Sequence, residues 1–255
     1  MMKLTILGCS GGVGADLRTT CLQLDDDILI DCGTGAGDLD LEGMRKIDHV
    51  FLTHSHMDHI AMLPMLADSA GSFRKIPLVV HALPETIAIL KTHVFNSLLW
   101  PDYTVQPAPE NPYIRFEAIR VGETVFLDGR KITALPALHS VPALGYLFDS
   151  GEHSFAFSGD TTLCDAFWEM LKKVGNLRYL MMEATFLKRN IERARISGHM
   201  TPGLLSQGLA RLEYPAGILI THMEAGRNEE TMKEIRASCG QYGPIEVRRG
   251  DVFDF

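Results

Sequence analysis

No stretch of these 255 residues approaches the roughly 18 consecutive apolar side chains that a membrane-crossing helix needs, so spanning helices are excluded. Cysteine is scarce and scattered. The five thiols (Cys9, Cys21, Cys32, Cys164, Cys239) are odd in number and never form C-x-x-C, which predicts reduced, structural cysteines rather than a disulfide framework. Basic charge is also in short supply. Lys and Arg number 24 against 32 Asp and Glu, a net charge of -8, and phosphate-coating proteins need clustered cations, so no nucleic-acid polymer is expected as partner. A small anion remains compatible, because bound metals reverse the local sign. Residues 1–8 carry too short an apolar stretch for a signal peptide and no small-residue cleavage site; they read as a first strand, and the expected compartment is the cytoplasm. Four of the 12 prolines fall in 101–113, but no composition shift is long enough to be a linker. One domain over 1–255 is expected, with no membrane partner.

What is present is an alternation of short apolar runs and helical stretches. Strands are predicted at 3–7, 28–31, 49–52, 78–81, 132–138, 144–148, 154–157, 177–182, 218–221 and 246–252. Helices are predicted at 84–99, 163–173, 202–212 and 229–239, two of them opening on proline. The class is α/β.

Six of the ten histidines lie in four clusters: His54-Ser55-His56-Met57-Asp58-His59, then His139, His199 and His222. At this composition H-x-H-x-D-H arises by chance in roughly one such chain in a thousand. In a strand-to-helix loop, His54 and His56 alternate onto one side while Asp58 and His59 turn to a second point, so two divalent metals can share the loop. Imidazole and carboxylate suit Zn²⁺, with Fe or Mn²⁺ as competitors. Further ligands are available at later strand ends, in His139, Asp160 and His222, and a carboxylate such as Asp160 can bridge cations about 3.5–4 Å apart. His49, His81 and His153 lack this context and are expected to be packed or solvated. His93, Asn96 and Trp100 recur at i, i+3 and i+7 on the 84–99 helix extended by one residue. They form either a purine-binding stripe, with Trp100 stacking and Asn96 bonding the base edge, or a solvated polar face.

The H-x-H-x-D-H loop, a later His, the Gly159-Asp160 pair and a final His, together spanning 54–222, resemble the metallo-β-lactamase superfamily. The resemblance implies a four-layer αββα sandwich with a dinuclear site at one edge. On that pattern His54, His56 and His139 hold one metal, Asp58, His59 and His222 the other, and Asp160 lies between them. Members that hydrolyse β-lactams usually carry Cys where Asp160 stands, so phosphodiesterase, glyoxalase and arylsulfatase-like branches are implied instead. Glu183-Ala184-Thr185 and Gly198-His199-Met200-Thr201 look like the Glu-His dyad of phosphodiesterase-type members, tRNase Z included. A strand-end Glu183 can fix the tautomer of His199 and raise its pKa, so that it donates a proton; Asp58 is counted with them as catalytic. Stretches 93–102, 136–146 and 197–202 are similar to class II 3′,5′-cyclic-nucleotide phosphodiesterases, although Met57 and Met200 stand where that family often has Leu. The expected activity is therefore hydrolysis of cyclic AMP or cyclic GMP to 5′-monophosphates. A tRNase Z-like or other phosphodiesterase, a thioester or lactone hydrolase, and a noncatalytic metal-binding module are the alternatives. The preferred base and the oligomeric state, a homodimer included, stay open.

Overall fold

Successive side chains of a strand face opposite ways, so a strand covered on both sides must be apolar throughout. The computed structural model describes residues 1–255. Its first strands are Lys3–Gly8 (β1), Cys21–Leu24 (β2), Ile28–Ile30 (β3), His49–Phe51 (β4), Leu78–Ala82 (β5), Pro107–Ala108 (β6), Asn111–Pro112 (β7) and Ile114–Ala118 (β8). The remainder are Thr124–Leu127 (β9), Arg130–Pro136 (β10), Leu144–Asp149 (β11), Ser154–Phe157 (β12), Leu177–Glu183 (β13), Gly217–Thr221 (β14), Ile245–Glu246 (β15) and Val252–Asp254 (β16). They build two seven-stranded sheets, ordered β16-β1-β2-β3-β4-β5-β8 and β15-β14-β13-β12-β11-β10-β9, with β6 and β7 as a separate ladder.

The period-two pattern assigns the layers. Ile28, Ile30 and Phe51 face Phe155, Phe157, Met181 and Leu219 between the sheets. Leu29 and Val50 point the other way, onto Leu63–Gly71 (α3) and Pro84–His93 (α4), which follow Leu41–Lys46 (α1) and Met57–Ile60 (α2). Leu180, Met182, Ile218 and Ile220 pack outward against Trp168, Leu205, Leu209 and Ile235. Those residues come from Asp165–Leu171 (α5), Pro202–Leu209 (α7) and Asn228–Cys239 (α8), and Ile191–Ser197 (α6) leads toward the site. The result is the αββα sandwich. Fully burying a large apolar side chain is worth roughly 1.5–3 kcal/mol. The three clusters, of 20, 19 and 18 buried residues, therefore carry stability and leave the loops at the strand ends free to hold polar chemistry. No helix is long and apolar enough to cross a membrane, and all five cysteines are free thiols.

Two sequence expectations are corrected. The 246–252 strand is in fact two strands, β15 and β16, split by a turn in which Gly250 adopts φ +90°. The 84–99 helix stops at His93, because Asn96 diverts the chain. Its amide donates to the Thr92 carbonyl at 2.9 Å, its oxygen accepts from Leu98 N at 2.9 Å and Leu99 N at 2.8 Å, and Ser97 turns through φ +63°. A short polar side chain has here outcompeted the helical ladder for the backbone.

Candidate active site

Strands β3 and β4 run parallel in one sheet and β12, β13 and β14 run parallel in the other. Each ends in a loop carrying a polar residue: Asp31 after β3, His54 to His59 after β4, Asp160 after β12, Glu183 closing β13 and His222 after β14. The carboxyl ends of parallel strands are where open α/β sheets place their ligands. His139, beyond β10, joins them.

The side chains converge as two groups. His54, His56 and His139 bring one ligand atom each within 4.8 Å of one another, and so do Asp58, His59, Asp160 and His222. In the second group His222 Nε2 lies 3.2 Å from Asp58 Oδ2 and 3.4 Å from Asp160 Oδ2, while His59 Nε2 lies 3.3 Å from Asp160 Oδ2 and 3.3 Å from His222 Nε2. Atoms about 2.1 Å from a tetrahedral cation sit roughly 3.4 Å apart, so these separations suit a shared ion. In the first group His139 Nε2 is 3.1 Å from His56 Nδ1. His54 Nε2 is fully enclosed without any hydrogen-bond partner, and the nearest charge is Asp160 Oδ2 at 3.8 Å. An orphaned buried nitrogen aimed at such a group is costly to the fold unless a cation takes its lone pair.

The rings are oriented from behind. His59 Nδ1 meets Asp31 Oδ2 at 2.7 Å, His139 Nδ1 meets the Gly198 carbonyl at 3.0 Å, and His54 Nδ1 meets the Thr53 hydroxyl at 3.0 Å. The Thr53 hydroxyl in turn donates to Asp31, 2.9 Å from Oδ2. With Nδ1 carrying the proton, Nε2 of these three rings is left as a lone-pair donor. Charge follows the same plan. Burial works against ionisation of Asp58, yet His222 and His59 bring it down to about 2, and the same two imidazoles hold buried Asp160 well below the carboxylate range. Burial would lower His59 too, but Asp160 and Asp31 force it well above its ordinary value. This pocket of carboxylates demands positive charge, and divalent cations would meet that demand.

Beside the groups stands an acid–base pair. Glu183, fully buried, receives His199 Nδ1 at 2.7 Å along with Thr161 N, Thr185 N and Met200 N at 3.0–3.2 Å. Burial alone would depress His199, but Glu183 overrides it and the imidazole is raised to about 9. His139, Asp160 and His199 also come within 4.8 Å of one another, so the pair opens directly onto the cluster.

A family model described as "Beta-lactamase superfamily domain" matches residues 26–223. The chain belongs to the metallo-β-lactamase superfamily. Among its curated relatives, "Ribonuclease Z" of Methanococcus maripaludis is 26% identical over 88% of this chain and 88% of its own. A "Probable 3′,5′-cyclic-nucleotide phosphodiesterase" of Yersinia pestis is 26% identical over 68% of this chain and 53% of its own. The solved structure of unliganded yeast PDE1 superposes with a TM-score of 0.81 at 16% identity, covering 98% of both chains, a likeness of fold.

Within this superfamily member the structure brings together His54, His56, Asp58, His59, His139, Asp160, Glu183, His199 and His222. It does not bring in His93, Asn96 or Trp100. Once the helix stops at His93, the i, i+3, i+7 stripe no longer exists as a face. His93 is exposed, Asn96 is spent on its own backbone, and Trp100 packs against the core outside the first sheet. His49 and His81 are packed side by side, 3.0 Å apart, and burial drives His81 down to about 4. Sequence reading missed Asp31, Thr53 and Thr185. The available signal was a polar residue at the end of an apolar strand, which Asp31 shares with Asp160.

Proposed function

We propose that this metal-dependent hydrolase is a phosphodiesterase of small cyclic nucleotides, opening a 3′,5′-cyclic phosphate to the 5′-monophosphate with two divalent cations, most suitably Zn²⁺. The observation that carries the reading is the Glu183–His199 pair, a buried carboxylate 2.7 Å from an imidazole that stands against the metal-binding groups. Hydrolysis breaks the bond from phosphorus to the ribose 3′-oxygen, and that oxygen leaves as a strongly basic alkoxide unless it receives a proton. His199, with Nδ1 fixed on Glu183, holds the needed proton on Nε2 at neutral pH, an arrangement worth typically 10²–10⁴-fold. His54, His56 and His139 would hold one cation and Asp58, His59 and His222 the other, with Asp160 shared. When bound, the cations would polarise the phosphate and acidify water.

Charge supports a small substrate. The arginines nearest His199 in sequence are each neutralised: Arg189 by Glu230 at 2.5 Å, Arg193 by Glu224 at 2.9 Å and Arg195 by Glu192 at 2.9 Å. A surface so paired offers few free cations to a polynucleotide backbone. The Ribonuclease Z relatives favour a second reading, a tRNA 3′-processing nuclease. Metal-loaded protein assayed on cyclic AMP, cyclic GMP, bis(p-nitrophenyl) phosphate and a precursor tRNA separates the two. A strong preference for a cyclic nucleotide is expected, whereas cleavage of the precursor tRNA with no turnover of either cyclic nucleotide overturns the first reading in favour of the second.

A further inference from the structure

Thr185 is buried at the point where the two functional parts of the site touch. Its hydroxyl lies 2.7 Å from Glu183 Oε2, 3.0 Å from His222 Nδ1, 2.9 Å from the His222 carbonyl and 3.2 Å from His199 Nδ1. A hydroxyl has one proton to give and two lone pairs to accept with. Glu183 Oε2, the shortest contact, takes that proton, so the oxygen remains free to accept from His222 Nδ1. That leaves His222 with Nδ1 protonated and Nε2 bare, facing Asp58 and Asp160. His222 also needs external support for its backbone, which sits at φ +55°, a region that a non-glycine residue occupies at a cost. The same device recurs independently on the other side of the cluster, where the Thr53 hydroxyl stands between Asp31 and His54 Nδ1. The two are not equivalent. Asp31 serves only residues of the cluster and its supporting shell, whereas the Glu183 carboxylate also holds the proton donor His199.

We propose that Thr185 is a positioning residue that joins the acid pair to the metal-binding group, its hydroxyl fixing the His222 ring for coordination while anchoring the Glu183 carboxylate that orients His199. One carboxylate thereby sets both the donor and a ligand. The coordination half stands on geometry alone; the donor half rests on the phosphodiesterase reading.

The test compares Thr185→Val, which keeps the shape and removes the hydroxyl, with Thr185→Ser, which restores it. Cobalt(II) titration of the metal-stripped proteins, followed by visible absorption and chelator competition, reads coordination without any substrate. Thr185→Val is expected to weaken the second cobalt equivalent by about 10–100-fold, the usual cost of losing a partner behind a ligand, and Thr185→Ser to recover it within a few fold. On the loaded proteins, Thr185→Val should lower kcat for cyclic AMP more than for bis(p-nitrophenyl) phosphate, whose leaving group needs no proton. Wild-type cobalt affinity in Thr185→Val, or equal losses in both variants, overturns the proposal. If no form of the protein turns over cyclic AMP yet the cobalt result holds, the phosphodiesterase reading falls and the coordination role stands. Should Thr185→Val fail to fold, nitrogen-15 NMR of zinc-loaded wild type decides: a protonated Nδ1 on His222 is expected, and a bare Nδ1 overturns the proposal.

Discussion

The metal-binding cluster and the 93–100 turn are both rich in residues that can bind a ligand, and they dispose of their polar atoms in opposite ways. Around the cluster, His54, His59, His139 and His222 each set Nδ1 against a fixed partner behind the ring, and Nε2 is left for one of the two ligand groups. In the turn, Asn96 commits both its amide and its oxygen to the neighbouring backbone. The cluster has hydrogen-bonding capacity left over; Asn96 has consumed its own. Binding power is what remains after the fold has met its internal demands, so residue type alone does not locate it.

The largest effect should come from Asp160, which belongs to one metal-binding group and lies 3.8 Å from His54 Nε2 of the other. Asp160 Oδ2 reaches His54, His59 and His222 at 3.8, 3.3 and 3.4 Å. Asp160→Asn keeps the shape and removes the charge that balances cations in a buried site. Metal content measured by elemental analysis should fall below two ions per chain, and kcat/KM should drop by about 10³-fold or more, the several kcal/mol that metal catalysis supplies. Unchanged metal content and rate would erase the distinction between the two regions.

A smaller effect, specific to one half of the site, belongs to the acid pair. His199 is raised to about 9 by Glu183 against the pull of burial, and the proposed phosphodiesterase reaction uses its protonated form. With an acid of raised pKa, kcat for cyclic AMP should hold steady through neutral pH and fall as pH rises through about 9. Glu183→Gln removes the charge that raises it, so the alkaline fall should move toward the ordinary histidine range near 6.5. His199→Ala should cut kcat on cyclic AMP by about 10²–10⁴-fold while sparing bis(p-nitrophenyl) phosphate. Profiles recorded with both substrates check this; an equal loss on the two would give His199 a role on the phosphate or metal instead of the leaving group.

How much of this was legible in the sequence depends on the range of each contact. The 54–59 loop reads directly because its residues are covalent neighbours and the strand before it is apolar. Most of the β-strands are visible as apolar runs, but their division into two stacked sheets came from family resemblance, since periodicity does not say which strand pairs with which. Asp31 acts on His59 from 28 residues away and Thr185 on His222 from 37, and neither residue type distinguishes itself from any other buried Asp or Thr. The 84–99 helix was overextended because Asn96 can continue a helix or cap its own backbone, and only the packed structure decides between them.

The smallest effect tests the quiet side of the comparison. Asn96→Ala removes the amide bond to Thr92 and the two bonds accepted from Leu98 and Leu99, all at a partly exposed turn. Each such bond contributes roughly 0.5–1.5 kcal/mol net, and water replaces part of what is lost, so unfolding free energy should fall by about 1–2 kcal/mol. None of these atoms touches the cluster, and His93 is exposed as the last residue of its helix, so KM for cyclic AMP should stay within about twofold for Asn96→Ala and for His93→Ala, since a lost hydrogen bond to substrate would cost tenfold or thereabouts. Denaturant unfolding alongside steady-state kinetics separates the two readouts. A tenfold rise in KM at unchanged kcat would mean that the turn lends its polar atoms to the substrate after all, and that the bonds within it are exchanged when the base binds.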